Sequence, residues 1–360
     1  MSATFGTSYK ITIFGESHGK AIGVIIDGIP PGLEIDMDKV SREMQRRAPG
    51  QSSLSTPRKE DDIPEILSGM FEGATTGAPL SALIHNTNTQ SRDYSEMKKK
   101  MRPGQADYPA RMRYDGFNDY RGSGKFSGRI TAPLVFAGAI AKQVLEQSGV
   151  VIGAHIHSVM DVRDTGLTID NASPELLRTF GDKHLPLIDA SKENAIKAVI
   201  EEARDAGDSV GGTIECMALG LPAGIGNPFF DSIESVLSHL LFAVPAVKGV
   251  EFGSGFGFAN MPASEANDAY YYDENGEVKT KTNHNGGITG GISNGMPMLF
   301  RVAVKAPSSI KKTQDTIDVE AGENVTLEVH GRHDPIIVPR AIPVIEAVCA
   351  IGILDLMQSR

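Results

Sequence analysis

The 360-residue sequence predicts an α+β fold in a single body, read as two related halves of about 1–150 and 151–360. Three observations lead there. Strand and helix patterns fall in separated groups instead of strict βαβα alternation, which disfavours a doubly wound sheet. A composition of 40% hydrophobic and 22% charged residues is enough to bury a sizeable core. The 39 Gly and 20 Pro cluster between apolar segments, with neither the collagen period nor low-complexity runs, so they mark loops.

In chain order, Tyr9–Phe14 and Ile22–Asp27 are β-branched or alternating and read as strands. Asp36 is placed to cap a helix over Met37–Arg47. Glu65–Phe71 and Leu80–Ile84 read as strands, and Thr131, with Pro133 in the first turn, opens a helix to Ser148 that Gly149 stops. Val151–His157 is a strand; Ser191 caps a helix through Ala206, stopped by Gly207. Gly212–Ala218 is a strand, and Asp231 or Ser232 opens Ile233–Val244. Met298–Lys305 and Val325–Val329 are strands, and a last helix from about Arg340 to Met357 tolerates Pro343 in its first turn.

The two-half reading rests on recurring turns. Gly28-Ile-Pro-Pro-Gly32 follows a strand and precedes an acid-capped helix, as Gly220-Leu-Pro-Ala-Gly224 does. Those helices end near Arg47-Ala-Pro-Gly50 and Pro245-Ala-Val-Lys-Gly249, and Thr75-Thr-Gly-Ala-Pro-Leu80 enters a strand as Ser293-Asn-Gly-Met-Pro-Met298 does. Chance recurrence of turn residues is the alternative at this stage.

A formal net charge of -10 argues against general affinity for nucleic acid while leaving room for a local basic cleft, so the expected partner is a small molecule. Cys216 and Cys349 lie in apolar stretches and read as buried free thiols of a reducing compartment. No secretory pattern opens the sequence, and the apolar stretch Ala341–Leu354 is too short to span a bilayer, so a soluble, cytoplasmic protein without membrane attachment is expected.

Four constellations carry chemistry. Phe14-Gly-Glu-Ser-His-Gly-Lys20 puts an acid, a hydroxyl and an imidazole in a glycine-flanked turn, with a solvated hairpin as the alternative; lying between strands, it is not the Gly-x-Ser-x-Gly elbow of a serine hydrolase. Basic residues crowd between Arg42 and Arg129, and within them Arg121-Gly-Ser-Gly-Lys-Phe-Ser-Gly-Arg-Ile-Thr131 runs into a helix N-terminus, where an anion is favoured. It lacks Walker spacing, which disfavours a nucleotide triphosphatase. Asn283-His-Asn-Gly-Gly-Ile-Thr-Gly-Gly-Ile-Ser-Asn-Gly295 can wrap a flat cofactor or phosphate, or serve only as a connector, with Lys305, Ser308 and Ser309 following as donors. Gly331-Arg-His-Asp-Pro335 is either an acid/base set or a structural Asp–Arg pair. His155 and His157 share one strand face, but no metal-ligand spacing is present and no metal is expected.

Together these motifs resemble the chorismate synthase family over nearly the whole chain. They are Phe14-Gly-Glu-Ser-His-Gly19, Asp27-Gly-Ile-Pro-Pro-Gly32, Arg46-Arg-Ala-Pro-Gly50, Ser68-Gly-Met-Phe-Glu-Gly73, Arg102-Pro-Gly104, Asp119-Tyr-Arg121, Val247-Lys-Gly-Val-Glu251, Gly286–Gly295 and Gly331-Arg-His-Asp-Pro335. The resemblance implies a lyase that converts 5-enolpyruvylshikimate 3-phosphate to chorismate and phosphate by anti-1,4-elimination, with reduced FMN, in aromatic amino acid biosynthesis. It implies a β-α-β sandwich assembled as a homotetramer. Ser17 and His18 would face the substrate, with His18 protonating the leaving phosphate, and Arg47, Arg102 and Arg129 would hold its anionic groups. Flavin contacts would fall to Lys125, Phe126, Ser127, Pro245, Ala246, Gly290, Lys305, Ala306, Pro307, Ser308, Ser309 and Arg332, and Asp334 would take the flavin N5 proton.

The sequence departs from the family pattern at four places. Gln105 stands where His is common, Ser53 where a second Arg is, Lys125-Phe126 where Arg-Ser is usual, and Pro245 where Asn is frequent. Gln105 can hydrogen-bond but exchanges no proton near neutrality, and Arg58 is the candidate replacement cation for Ser53. No Gly-x-Gly-x-x-Gly follows a strand to support an oxidoreductase that binds NAD(P)H. A separate flavin reductase is the expected source of reduced FMN, with direct use of NADPH left open. A flavin oxidoreductase and a non-enzymatic anion-binding module are the rival classes.

Overall fold

The structure, a computed structural model, describes residues 3–50, 60, 62–87, 96–329 and 333–360. Among these the helices are α1 (Met37–Arg47), α2 (Asp107–Arg113), α3 (Thr131–Gln147), α4 (Pro174–Thr179), α5 (Glu193–Asp205), α6 (Ile233–Ala243), the short α7 (Ala263–Ala266) and α8 (Val338–Gln358). One antiparallel sheet runs Thr4–Phe5, Lys10–Gly15, Ala21–Asp27, Leu80–His85, Pro64–Ser68 in spatial order. The other runs Val247–Phe252, Met298–Val304, Gly212–Leu219, Val151–Val159, Val162–Arg163. Helices α1, α3, α6 and α8 form a layer between them, with α3 nearest the first sheet and α8 nearest the second, so the expected α+β sandwich is what forms.

Helices α3 and α8 are buried on nearly every face, as a layer covered on both sides demands. They cross where Gly138 meets Ala347; a Cβ on Gly138 would overlap the Ala347 methyl, so the close approach requires glycine. Helix α8 is 21 residues long, more than the stretch Ala341–Leu354 read from sequence, and by length and composition it would reach across a bilayer. Here it is the core helix instead. Its Glu346 is 2% exposed, bonded to Arg46 and Lys142, and accepts from the Ala154 N–H.

Most predicted elements lie within two residues of their places, and the exceptions have local causes. Asp36 caps α1 by accepting from the Asp38 and Lys39 N–H groups, and Ser232, not Asp231, caps α6. Ser191 is not a cap: Asp189 caps a 3₁₀ turn over Ala190–Lys192, and α5 starts at Glu193. Glu65–Phe71 is broken by left-handed Gly69 (φ +86) into a sheet strand and a small hairpin. Val325–Val329 moves to Glu323–Leu327, pulled into register by its partner Gln314–Asp318. Cys216 and Cys349 are buried free thiols, and burial pushes the Cys216 thiol up.

We propose that the two halves are a duplicated unit. The reading is supported by a contact made twice. The Thr75 hydroxyl donates to the Pro30 carbonyl at 2.6 Å and accepts from Leu33 N–H at 3.0 Å; the Ser293 hydroxyl donates to Pro222 at 2.6 Å and accepts from Ile225 N–H at 2.9 Å. The sheet order Lys10–Gly15, Ala21–Asp27, Leu80–His85, Pro64–Ser68 is matched by Val151–Val159, Gly212–Leu219, Met298–Val304, Val247–Phe252, and α1 and α6 are each 11 residues long.

Candidate active site

A cleft of about 750 Å³ opens where the C-terminal ends of α1 and α6 meet the N-terminal ends of α3 and α8. The N-terminal N–H groups of α3 and α8 lend their side of it positive partial charge, and the C-terminal carbonyls of α1 and α6 lend theirs negative.

His18 comes from the turn between Lys10–Gly15 and Ala21–Asp27, and it is 8% exposed, so the solvated-hairpin reading does not hold. The Asn86 amide braces that turn by donating to the Glu16 and Gly19 carbonyls, while its oxygen accepts from Arg129 Nε at 2.7 Å. Across from His18 the chain takes a left-handed conformation at Gly122, Ser123 and Gly124 in succession. A Cβ on Gly122 would run into the imidazole, so glycine there lets backbone lie flush on the ring. Ser17 is buried beneath this contact, its N–H donating to Gly124 O, and it does not line the cleft.

The guanidinium groups are held by carboxylates. Arg47, the last residue of α1, donates to Asp62 at 2.6 Å, and Arg129 donates to the same carboxylate and to Glu60 at 2.5 Å. Burial pushes the Arg47 guanidinium down to about 10, with Asp62 opposing and the charges of Arg340 and Arg129 reinforcing; it stays charged at neutral pH. Arg102 forms a fork onto Asp107 at 2.7 and 2.8 Å and donates to the Ser123 hydroxyl. Lys125 sits over the Tyr114 ring and bonds its hydroxyl.

The second half of the chain supplies the rest of the lining. Ala243–Lys248 continue from α6, and Ala246 holds a left-handed φ of +73, a strain that a residue with a Cβ carries only where the surroundings enforce it. Lys305 N–H donates to Ala246 O, and Lys305 Nζ and the Ser308 hydroxyl reach Gly104 O at 2.6 and 3.3 Å. Burial and the nearby Lys248 charge push the Lys305 ammonium down. Asp334 lies at the mouth of α8, accepting from Arg340 Nη1 at 3.0 Å.

Proteins with the same sequence pattern are known. The chorismate synthase family profile matches residues 9–358. The chain belongs to the chorismate synthase family. It is 44% identical to the chorismate synthase of Dehalococcoides mccartyi, covering 99% of this chain and 96% of that protein, and 45% identical to that of Thermococcus gammatolerans, covering 99% and 97%. A crystal structure of a chorismate synthase superposes with a TM-score of 0.75 at 28% identity, covering 99% of this chain and 93% of the other. Chorismate synthases are lyases, and the chain is an enzyme of that class.

Of the residues the sequence singled out for chorismate synthase chemistry, the cleft gathers His18, Arg47, Arg102, Lys125, Phe126, Ser127, Arg129, Pro245, Ala246, Lys305–Ser309 and Asp334, with Gln105 among them. Gly290 is placed elsewhere. Its neighbour Gly291 accepts from Ile233 N–H at the start of α6, and that helix, about 16 Å long, separates it from Pro245 at the cleft. Arg332, Ser53 and Arg58 lie outside the described residues. Sequence reasoning missed Glu60, Asp62 and Arg340, and quoted Lys248 only within a motif, without a role; for Arg340 the signal was present, since an Arg in the first turn of the last helix follows Asp334 by six residues.

His155 lies away from this cleft, its two ring nitrogens 3.1 Å from Asp164 and Glu215. Burial works against its charged form, but those bonds hold the imidazole above its ordinary range, while burial pushes His157 down. Among the described residues no group of His, Cys, Asp and Glu is arranged to hold a metal.

Proposed function

We propose that the chain converts 5-enolpyruvylshikimate 3-phosphate to chorismate and phosphate by anti-1,4-elimination with reduced FMN, the last common step toward the aromatic amino acids. One observation carries this reading: one cleft is lined by His18 and the buried Arg47, Arg102 and Arg129 together with the apolar side chains of Phe126, Pro245, Ala246 and Pro307. Its volume of about 750 Å³ falls within the 300–1,000 Å³ of small-molecule sites.

Those residues fit a flavin in kind. Phe126, Pro245, Ala246 and Pro307 offer apolar surface to a ring system, and Lys125, Ser127, Lys305, Ser308 and Ser309 offer donors to a phosphate. Reduced FMN, when bound, would lend electron density to the allylic system and recover it, so that no net redox change results. Arg47, Arg102 and Arg129 hold the substrate's anionic groups; Asp62 and Glu60 set the geometry of Arg47 and Arg129, Asp107 sets that of Arg102, and the buried cations stay paired until substrate arrives. As the C3–O bond breaks, its electron pair goes to the phosphate oxygen, and His18 protonates that oxygen. Asp334, a carboxylate lining the cleft, would take the proton at N5, the position that a bound flavin would offer to the C6 hydrogen. Phosphate thus leaves C3 and hydrogen leaves C6, each with an acceptor.

Reduced FMN is supplied by a separate reductase in the cytoplasm, and exposed Phe229, Phe230 and Phe256 are apolar surface of the kind that a homotetramer buries. Purified chain given dithionite-reduced FMN and substrate without oxygen should form chorismate and phosphate in equal amounts. NADPH oxidation without added reductase, and no chorismate, would favour an oxidoreductase.

Two further outcomes follow. Asp334→Asn should retain flavin binding and slow elimination strongly; loss of folding with normal specific activity in the remaining soluble protein would return Asp334 to a structural pair with Arg340. Gln105→His should change turnover modestly, altering the pH profile only near the introduced imidazole's pKa of about 6.5. A gain of about ten-fold or more would show instead that a proton at this position limits the rate.

A further inference from the structure

Arg340 occupies the first turn of α8 and joins two parts of the cleft that no sequence motif connects. Its Nε donates to the Arg47 carbonyl at 3.1 Å, and its Nη1 donates to Asp334 Oδ2 at 3.0 Å. The Arg47 carbonyl belongs to the last turn of α1, where backbone oxygens have no partner within the helix. A guanidinium is planar and presents its donors in a fixed fork, so satisfying that carbonyl also dictates where the Asp334 carboxylate sits. The Arg47 side chain is anchored separately, through Asp62 at 2.6 Å.

We propose that Arg340 is a positioning residue for the elimination, setting the Asp334 carboxylate in register with the anion site at the end of α1. The proposal rests on the roles given above to Asp334 and Arg47. Because Asp62 holds the Arg47 side chain whether or not Arg340 is present, loss of Arg340 falls on the chemical step and spares substrate binding. A lysine keeps the charge but has no fork, and it can serve one partner or the other.

The test compares Arg340→Met, Arg340→Lys, Asp334→Asn and the Arg340→Met/Asp334→Asn double variant under anaerobic conditions with reduced FMN. Arg340→Met is expected to lower kcat by about 30–100-fold with KM for substrate changed less than about three-fold, and Arg340→Lys to recover about a third of the lost rate on a logarithmic scale. Affinity for oxidised FMN, read by flavin fluorescence, should stay within about three-fold of the parent, because Arg340 acts through Asp334. The double variant should be no slower than Asp334→Asn alone. A rise in KM with kcat preserved would overturn the proposal in favour of direct substrate contact, and full additivity in the double variant would overturn it as well. If Arg340→Met does not fold, the Lys variant and its pairing with Asp334→Asn carry the same comparison. Absence of chorismate from the parent protein would strike the functional reading itself, whereas an active parent with an unaffected Arg340→Met would strike only this inference.

Discussion

His18→Ala should lower turnover by about 10²–10⁴-fold while leaving flavin affinity largely intact. The imidazole lines the cleft beside the arginines and is pressed against the backbone of Gly122, so its orientation is fixed by packing on one side and open on the other. A leaving phosphate without a proton donor must depart with more negative charge, and the arginines compensate for only part of that. Gly122→Ala gives an independent check, because the added methyl displaces the ring without removing it, and turnover should fall with the protein still folded. Rapid-quench measurement of phosphate release separates the two steps; near-normal release in His18→Ala would remove the imidazole from the chemistry.

Glu346→Gln should cost about 3–5 kcal/mol of folding stability, the usual result of breaking a buried ion pair from one side. The carboxylate takes two bonds from Arg46 at 2.6 and 2.9 Å and one from Lys142 at 2.5 Å, and Gln leaves those cations with Glu43 alone to answer their charge. Burial by itself would push the Glu346 carboxyl up, but Arg46 and Lys142 overcome it and bring it down to about 2. The sign follows from linkage. A carboxylate whose folded pKa lies below its unfolded value near 4.5 contributes stability that is complete above pH 4.5 and is lost as pH falls toward about 2. That contribution is on the order of 3 kcal/mol. Urea unfolding of the parent at pH 7 and pH 3 should show the loss, and the Gln variant should lack that part of it. A variant as acid-sensitive as the parent would assign acid unfolding to other carboxylates.

What the sequence made legible was local. The caps Asp36 and Ser232 and the stop after α3 are decided within one helical turn, so residue type alone points to them. Strand Val247–Phe252 was missed because Gly249 interrupts its pattern and its pairing with Met298–Val304, which includes a register shift, is what makes it a strand. The His18 turn and the Arg121–Thr131 segment stood out because glycines and charged groups coincide there; their meeting across more than a hundred residues was not visible until Gly122 lay on the His18 ring. Glu60 and Asp62 carry no signature of their own. A carboxylate or guanidinium is ordinary in sequence and becomes significant only through the partner that the fold supplies, as Asp62 does between Arg47 and Arg129.

The repeated hydrogen-bond pattern of Thr75 and Ser293 bears on the cleft in another way. A pocket on the seam between two identical subunits must present the same groups twice, and it suits only ligands that share its symmetry. Once two copies are fused in one chain, each can change alone. On the duplication proposed above, the first half brings His18, Arg47, Arg102 and Arg129 to the seam, while the second brings Pro245, Ala246, the Lys305–Ser309 loop, Asp334 and Arg340. The two sides of the pocket thereby differ in chemistry, as the proposed pair of ligands requires: a charged, puckered substrate and a planar cofactor have nothing in common but their shared volume.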